Sequence, residues 1–111
     1  MSLFNLKNKS ILITGSSRGI GKSIANHCAI HEANVIISSR KMDACENTAN
    51  EINNSIGKEV AFPISANISD DKQLELLVKN TMDKLGKIDV LICNAATNPF
   101  MGSMIDMPME K

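Results

Sequence analysis

The tightest constraint in this sequence is one junction. Ser10-Ile11-Leu12-Ile13-Thr14 is a short apolar run, and it passes directly into Gly15-Ser16-Ser17-Arg18-Gly19-Ile20-Gly21. Helical spacing of apolar residues begins within that turn. A short continuous apolar run bounded by glycine reads as a strand buried on both faces, as a parallel sheet requires. Strand, glycine turn and helix in that order point to an α/β architecture.

The rest of the chain repeats the alternation. Gly19 to about Glu32 reads as a helix with two stripes. One is Ile20, Ile24 and Cys28; the other is Gly21, Ala25 and Ala29, small residues that allow close approach to a sheet. Asn34 to Ser39 is a second buried strand. Met42 to Ile56 is an amphipathic helix with Cys45, Ala49, Ile52 and Ile56 on one side and Gly57 placed to stop it. Glu59 to Ile64 is a third strand with Pro63 near its end. Ser69 is expected to cap a third helix, with Asp70 and Asp71 in its first turn complementing the helix dipole. Leu74, Leu77, Val78, Met82 and Leu85 continue that helix, and Gly86 closes it. Ile88 to Cys93 is a fourth strand. Right-handed crossovers make βαβαβαβ a parallel sheet. From Asn94 onward the pattern changes. Asn98-Pro99 signals a turn, and Met101, Met104, Met107 and Met109 crowd a segment that reads as a loop or lid, or as a methionine surface facing a substrate.

The glycine turn has a specific use. A dinucleotide pyrophosphate sits against backbone N–H groups at a helix N-terminus, and any Cβ in the way holds the phosphates off. Gly15 permits the sharp exit from the strand, Gly19 allows backbone approach, and Gly21 lets the helix pack on the strand. Ser16 and Ser17 offer hydroxyl donors, and Arg18 offers a charge. The competing reading is a glycine-rich connection with no ligand.

The spacing TGxxxGxG, in its strand-to-helix context, resembles the first βα turn of the short-chain dehydrogenase/reductase family. Asn94-Ala95-Ala96, at the end of the fourth strand, is similar to that family's NNAG motif, with Cys93 for the first Asn and Ala96 for Gly. Asn67-Ile68 stands where the family has an Asp-Val/Leu pair at the adenine. The resemblance runs from residue 7 to about 107, and Ser38-Ser39-Arg40-Lys41 together with residues 94–100 is most similar to the NADP-dependent carbonyl and retinal reductases. It implies a partial Rossmann-type parallel sheet of order 3-2-1-4 with flanking helices. Residues 1–111 would then be the N-terminal NADP-binding portion of a single Rossmann domain, with the C-terminal catalytic half absent. The fourth strand would be an open edge, leaving Phe62 and Ile92 partly uncovered and offering a route to homo-oligomers or to pairing with another chain.

The residue ending the second strand separates NAD from NADP. A carboxylate there bonds the ribose 2′-OH and repels a 2′-phosphate. This chain has Ser39, then Arg40 and Lys41, and no carboxylate before Asp43. Arg40 can grip a 2′-phosphate by paired charge-assisted hydrogen bonds, and Arg18 can reach the same group; solvated loop charges are the alternative. The expected cofactor is therefore NADP(H), held by Gly15, Ser17, Arg18, Gly19, Ile20, Gly21, Ser39, Arg40, Lys41, Asn67, Ile68, Asn94, Ala95 and Ala96. Asn67 can accept from the adenine amino group through its amide oxygen. Asn94 has two open roles, cofactor contact and scaffold tie.

The resemblance also implies hydride transfer between the nicotinamide and a small carbonyl or alcohol substrate. It assigns proton transfer to a tyrosine with a lysine four residues later, aided by a serine and an asparagine. The chain has no Tyr, so no catalytic residue is assigned. A stand-alone nucleotide-binding module and a non-catalytic fragment completing its sheet with a partner are the other readings. Composition narrows the rest. The 111 residues suit one domain. Lys plus Arg and Asp plus Glu number 12 each, so no net field draws nucleic acid or an anionic membrane. No apolar run nears the roughly 18 residues of a membrane span, and no secretory leader is evident, so the expected location is cytoplasmic. Cys28, Cys45 and Cys93 form no CxxC pair and read as free thiols. His27 and His31 are a weak i, i+4 pair, and no metal site is expected.

Overall fold

A computed structural model describes residues 6–94. Seven elements follow in strict alternation: β1 (Ser10–Thr14), α1 (Gly19–Ile30), β2 (Asn34–Ser38), α2 (Met42–Ile56), β3 (Ala61–Pro63), α3 (Asp71–Leu85) and β4 (Val90–Cys93). The four strands form one parallel sheet of order β3-β2-β1-β4, as expected.

The two-residue period of the strands divides the core. Ile11, Ile13, Val35 and Ile37 face α1 and α2, packing with Ala25, Ala29, Cys45, Ala49 and Ile52. Leu12 and Ile36 face the opposite way, onto Leu77 of α3, with Phe62, Ile64 and Leu91 around them. All five residues of β1 are buried, as a strand with a neighbour on each edge and helices on both faces must be. All four residues of β4 are only half-buried, and so are Phe62 and Ile92. Among the described residues β4 is the sheet edge beside β1.

Side chains complete the hydrogen bonding at two places that periodicity does not reveal. Asn53 of α2 accepts from the N–H groups of Val60 and Ala61 and donates to the Ala61 carbonyl, all within 2.9 Å, so it satisfies the outer edge of β3. Asp89 accepts from Ser10 N–H at 2.7 Å and pairs with Lys87 at 3.2 Å, fastening the start of β4 to the start of β1. The Ser10 N–H, and then Lys87, hold the Asp89 carboxyl below the usual aspartate range.

Several boundaries differ from expectation. β2 ends at Ser38 rather than Ser39, β3 is only the three residues Ala61–Pro63 rather than Glu59 to Ile64, and β4 begins at Val90 rather than Ile88. The cap of α3 is Asp70, not Ser69: Asp70 Oδ1 accepts from Lys72 N–H at 2.9 Å. Asn67 causes the shift. Its side-chain oxygen takes Ser69 N–H and its carbonyl takes Asp70 N–H, so a local turn precedes the helix and delays its start by one residue. No helix among the described residues is long and apolar enough to cross a membrane.

Candidate functional site

The ends of all four strands carry the residues singled out in the sequence. The turn from Gly15 to Gly21 follows β1, Ser39-Arg40-Lys41 follows β2, Asn67-Ile68 lies beyond β3, and Asn94 follows β4. In an open α/β sheet, ligands bind outside the carboxyl ends of the strands, where the strand order reverses. Here that point lies between β1 and β4, and Gly15 meets Asn94 there. Ala95 and Ala96, and the methionine-rich segment after them, lie outside the described residues.

The three glycines of the turn answer two kinds of demand. A Cβ on Gly15 would collide with the Asn94 carbonyl oxygen, and a Cβ on Gly21 would collide with the Gly15 carbonyl oxygen and come within 2.9 Å of Asn94 Nδ2. Both are packing requirements inside the protein. Gly19 shares with Gly15 a φ, +63° and +64°, that L side chains rarely adopt, but differs in that no described residue lies within 4 Å of where its Cβ would be. That space is open to a ligand.

Bonds to β1, β2, α2 and the end of β4 hold the turn. Ser16 is fully buried. Its hydroxyl donates to Ile13 O at 2.7 Å and accepts from Ser38 N–H at 2.9 Å, while its own N–H donates to Ser38 O at 3.0 Å. This corrects the expectation that Ser16 offers a hydroxyl to phosphate: the group is engaged on the protein side, bonding the turn to β1 and β2. Thr48 of α2 donates to the Ser17 carbonyl at 2.8 Å. Asn94 N–H donates to Thr14 Oγ1 at 3.1 Å, and Asn94 Nδ2 donates to Gly15 O at 3.3 Å. Of the two roles open for Asn94, the scaffold tie is the one these bonds establish. Ser38 Oγ is buried beside Thr14 with no hydrogen-bond partner among the described residues.

The N-terminus of α1 suits an anion. Arg18 occupies the cap position in extended conformation without a side-chain cap, and the first turn holds no acidic residue. In α2 and α3 the first turn does contain an aspartate. The first N–H groups of α1 therefore retain their positive potential with no carboxylate competing for it. Ile20 stands at helical spacing from Ile24 and Cys28 but is 65% exposed, while Ile24 and Cys28 are partly buried and pack against the core. The fully buried face of α1 is Gly21, Ala25 and Ala29, small residues that bring this helix close to the sheet.

Arg18, Arg40 and Lys41 are exposed, and among the described residues none of them makes an ion pair. Ser39 Oγ lies 3.2 Å from Cys45 Sγ and 3.4 Å from the Lys41 N–H that donates to it. Asn67 Oδ1 already accepts from Ser69 N–H at 3.0 Å, leaving one lone pair for a ligand. The Ile68 side chain packs into the cluster around Leu12 and Leu77. A separate cleft of about 340 Å³ runs between α1 and α2, lined by Gly19, Lys22, Ser23, Asn26, Glu51 and Ile52. It shares only Gly19 with the predicted cofactor contacts, and the Lys22–Glu51 ion pair belongs to it. His27 and His31 are exposed, and no cluster of metal ligands exists among the described residues. Burial pushes the Cys28 and Cys93 thiols up, and a hydrogen bond from Thr14 partly opposes this at Cys93.

A sequence model of the short chain dehydrogenase family matches residues 9–110. The chain belongs to that family. Among individual relatives, dehydrogenase/reductase SDR family member 4 of Sus scrofa is 35% identical over 105 residues, covering 95% of this chain and 37% of its own length. A short-chain type dehydrogenase/reductase from Mycobacterium marinum superposes with a TM-score of 0.81 at 37% identity, over 99% of this chain and 44% of its own. A 3-ketoacyl-(acyl-carrier-protein) reductase from Brucella melitensis, solved in complex with NADH, has a TM-score of 0.71 at 32% identity, over 78% of this chain and 33% of its own. The chain thus spans less than half the length of these short-chain dehydrogenases. They support a Rossmann-type nicotinamide-binding fold and an oxidoreductase family. The glycine turn and the cap-free start of α1 fit such a cofactor on this structure's own geometry.

Proposed function

We propose that this chain is the NADP(H)-binding portion of a short-chain oxidoreductase that interconverts a small carbonyl compound and its alcohol. The supporting observation is the pair of exposed cations that follows β2, neither of them in an ion pair among the described residues. Arg40 and Lys41 come directly after Ser39 at the strand end, where a carboxylate would select NAD. One charge-assisted hydrogen bond from Arg40 to a 2′-phosphate is worth about 1.5–3 kcal/mol. That corresponds to about a 10- to 100-fold preference for NADP(H) over NAD(H).

When bound, the nicotinamide supplies hydride chemistry. This chain's own residues do other work. The N–H groups at the start of α1 neutralise the pyrophosphate, with Gly19 admitting it to the backbone, Ser17 and Arg18 beside it and Ile20 lying against the cofactor. Ser39, Arg40 and Lys41 receive the adenosine end, and Asn67 and Ile68 border the adenine. Asn94 holds the end of β4 to the glycine turn by its scaffold bonds, and Ala95 and Ala96 after it are the remaining proposed contacts. No tyrosine occurs in the sequence, so proton transfer to substrate falls to residues outside these 111, and the chain by itself is proposed to bind without turning over. Titration of the folded protein with NADPH and NADH tests the reading. Saturable binding with NADPH tighter by the stated factor supports it; absent NADPH binding, or tighter NADH binding, overturns it.

A further inference from the structure

Two side chains of α2 touch the backbone that receives the cofactor, and they sit three residues apart on one helix face. Thr48 donates to the Ser17 carbonyl of the phosphate turn at 2.8 Å. Cys45, fully buried, places its thiol 3.2 Å from Ser39 Oγ, and the thiol donates to the Ser39 carbonyl at 3.8 Å. We propose that this one turn of α2 is a two-point clamp on the cofactor site, in which Thr48 positions the phosphate turn and Cys45 positions the loop that discriminates the 2′-phosphate.

The choice made by the Thr48 hydroxyl carries the first half. A buried threonine inside a helix ordinarily satisfies its hydroxyl on the carbonyl four residues back. Thr81 of α3 does so, donating to Leu77 O at 2.8 Å. Thr48 is equally inward-facing but reaches across 31 residues of sequence to Ser17. The Ser17 carbonyl and the Arg18 N–H belong to one planar trans peptide, so they point in opposite directions. Drawing the carbonyl toward α2 therefore aims the Arg18 N–H away from α2, fixing the plane that opens the anion-binding end of α1. The peptide two units earlier, between Gly15 and Ser16, is also fixed at both ends: Gly15 O accepts from Asn94, and Ser16 N–H donates to Ser38. A turn set before the ligand arrives binds more tightly, because less ordering remains to be done on binding.

The second half is specific to the adenosine end. Ser39 is the residue whose side-chain type separates NAD from NADP, and Cys45 is its buried neighbour. The Cys45 N–H also closes the first turn of α2 on the Lys41 carbonyl at 3.1 Å. The thiol thus sets how Ser39 stands relative to Arg40 and Lys41.

This clamp rests on the NADP(H) reading above, and the experiment separates the two. Kd values for NADPH and NADH are measured by calorimetry on the full gene product carrying Thr48→Val, Thr48→Ser or Cys45→Ala, each checked for folding by circular dichroism. Thr48→Val is expected to weaken both nucleotides by the same factor, about 3- to 10-fold, the equivalent of one hydrogen bond. Thr48→Ser is expected to restore binding to within about 2-fold. Cys45→Ala is expected to leave NADH affinity unchanged and to reduce the NADPH preference about 2- to 5-fold, as loss of one weak thiol contact implies. A purely structural role would lower the melting temperature without moving Kd or the preference. Folded Thr48→Val binding both nucleotides like the unsubstituted protein overturns the clamp while leaving the NADP(H) reading intact. So does a Cys45→Ala preference that does not move. If the unsubstituted folded protein binds neither nucleotide, both proposals fail together.

Discussion

Replacing Gly19 by alanine separates a glycine needed by the fold from a glycine needed by a ligand. At φ +63° an alanine pays the left-handed penalty of about 1–2 kcal/mol, partly offset by about 0.4–1 kcal/mol from a less free unfolded chain. Among the described residues nothing lies within 4 Å of the added methyl, so none of them clashes with it. The expected loss of stability is therefore about 1 kcal/mol, and the protein should remain folded. The methyl would, however, project into the space from which phosphate approaches the backbone. Loss of one charge-assisted hydrogen bond there corresponds to about 1.5–3 kcal/mol, a 10- to 100-fold weaker NADPH complex. Gly57→Ala is the matched control, with a φ of +91° and equally open surroundings at the far end of α2. It should show a similar stability loss and unchanged binding. Urea denaturation and calorimetric titration supply both numbers. A folded Gly19→Ala that binds NADPH within 2-fold of the unsubstituted protein would refute the assignment of this turn to phosphate.

Three further outcomes follow from the same geometry. Arg40→Gln should weaken NADPH about 10- to 100-fold by titration while changing NADH less than about 3-fold, since only the 2′-phosphate contact is removed. Leu77→Ala should cost about 2–5 kcal/mol in urea denaturation, because Leu77 is the fully buried α3 residue of the cluster with Leu12 and Ile36; a cost below about 1 kcal/mol would contradict the packing described. Asp89→Asn tests the pH dependence. The folded-state pKa of Asp89 is lowered, first by the Ser10 N–H, so its contribution is full above the ordinary aspartate pKa and is lost as pH falls through the lowered folded value. The unsubstituted protein should exceed Asp89→Asn in stability at neutral pH, and the gap should close in the acid range; a gap that widens on acidification would reverse the sign of this linkage.

The parts of this fold that depend on local pattern were legible in the sequence, and those that depend on long-range pairing were not. Ile11, Leu12 and Ile13 announce a strand buried on both sides because hydrophobic side chains alternate faces with no polar break. The sheet order is legible only through the resemblance of the glycine turn to the short-chain dehydrogenase family, because crossover handedness makes the strands parallel without ordering them. Ile20 breaks the rule of periodicity: it sits at helical spacing from Ile24 yet is exposed, in the first turn of α1 beside the glycine turn. Ser16 looks in sequence like a phosphate donor. Its hydroxyl is claimed by Ile13 and Ser38, and the Ser38 contact lies 22 residues away. Thr48 left one faint signal, a hydroxyl residue on the same inward face as Cys45 and Ile52, which obliges it to find a partner. That the partner is Ser17 depends on how α2 lies against the turn, a tertiary fact. Asn53 and Asp89 are similar, because each satisfies backbone groups that only strand pairing brings near.

The central claim, that the cofactor lies across the strand ends at the glycine turn, is tested most directly by mapping amide chemical-shift changes on isotopically labelled protein as NADPH is added. Saturable shifts concentrated at Gly15 to Gly21, Ser39 to Lys41 and Asn94 are the predicted result. Shifts confined to the α1–α2 cleft at Lys22, Ser23, Asn26, Glu51 and Ile52, or no saturable shifts in a folded sample, would contradict it.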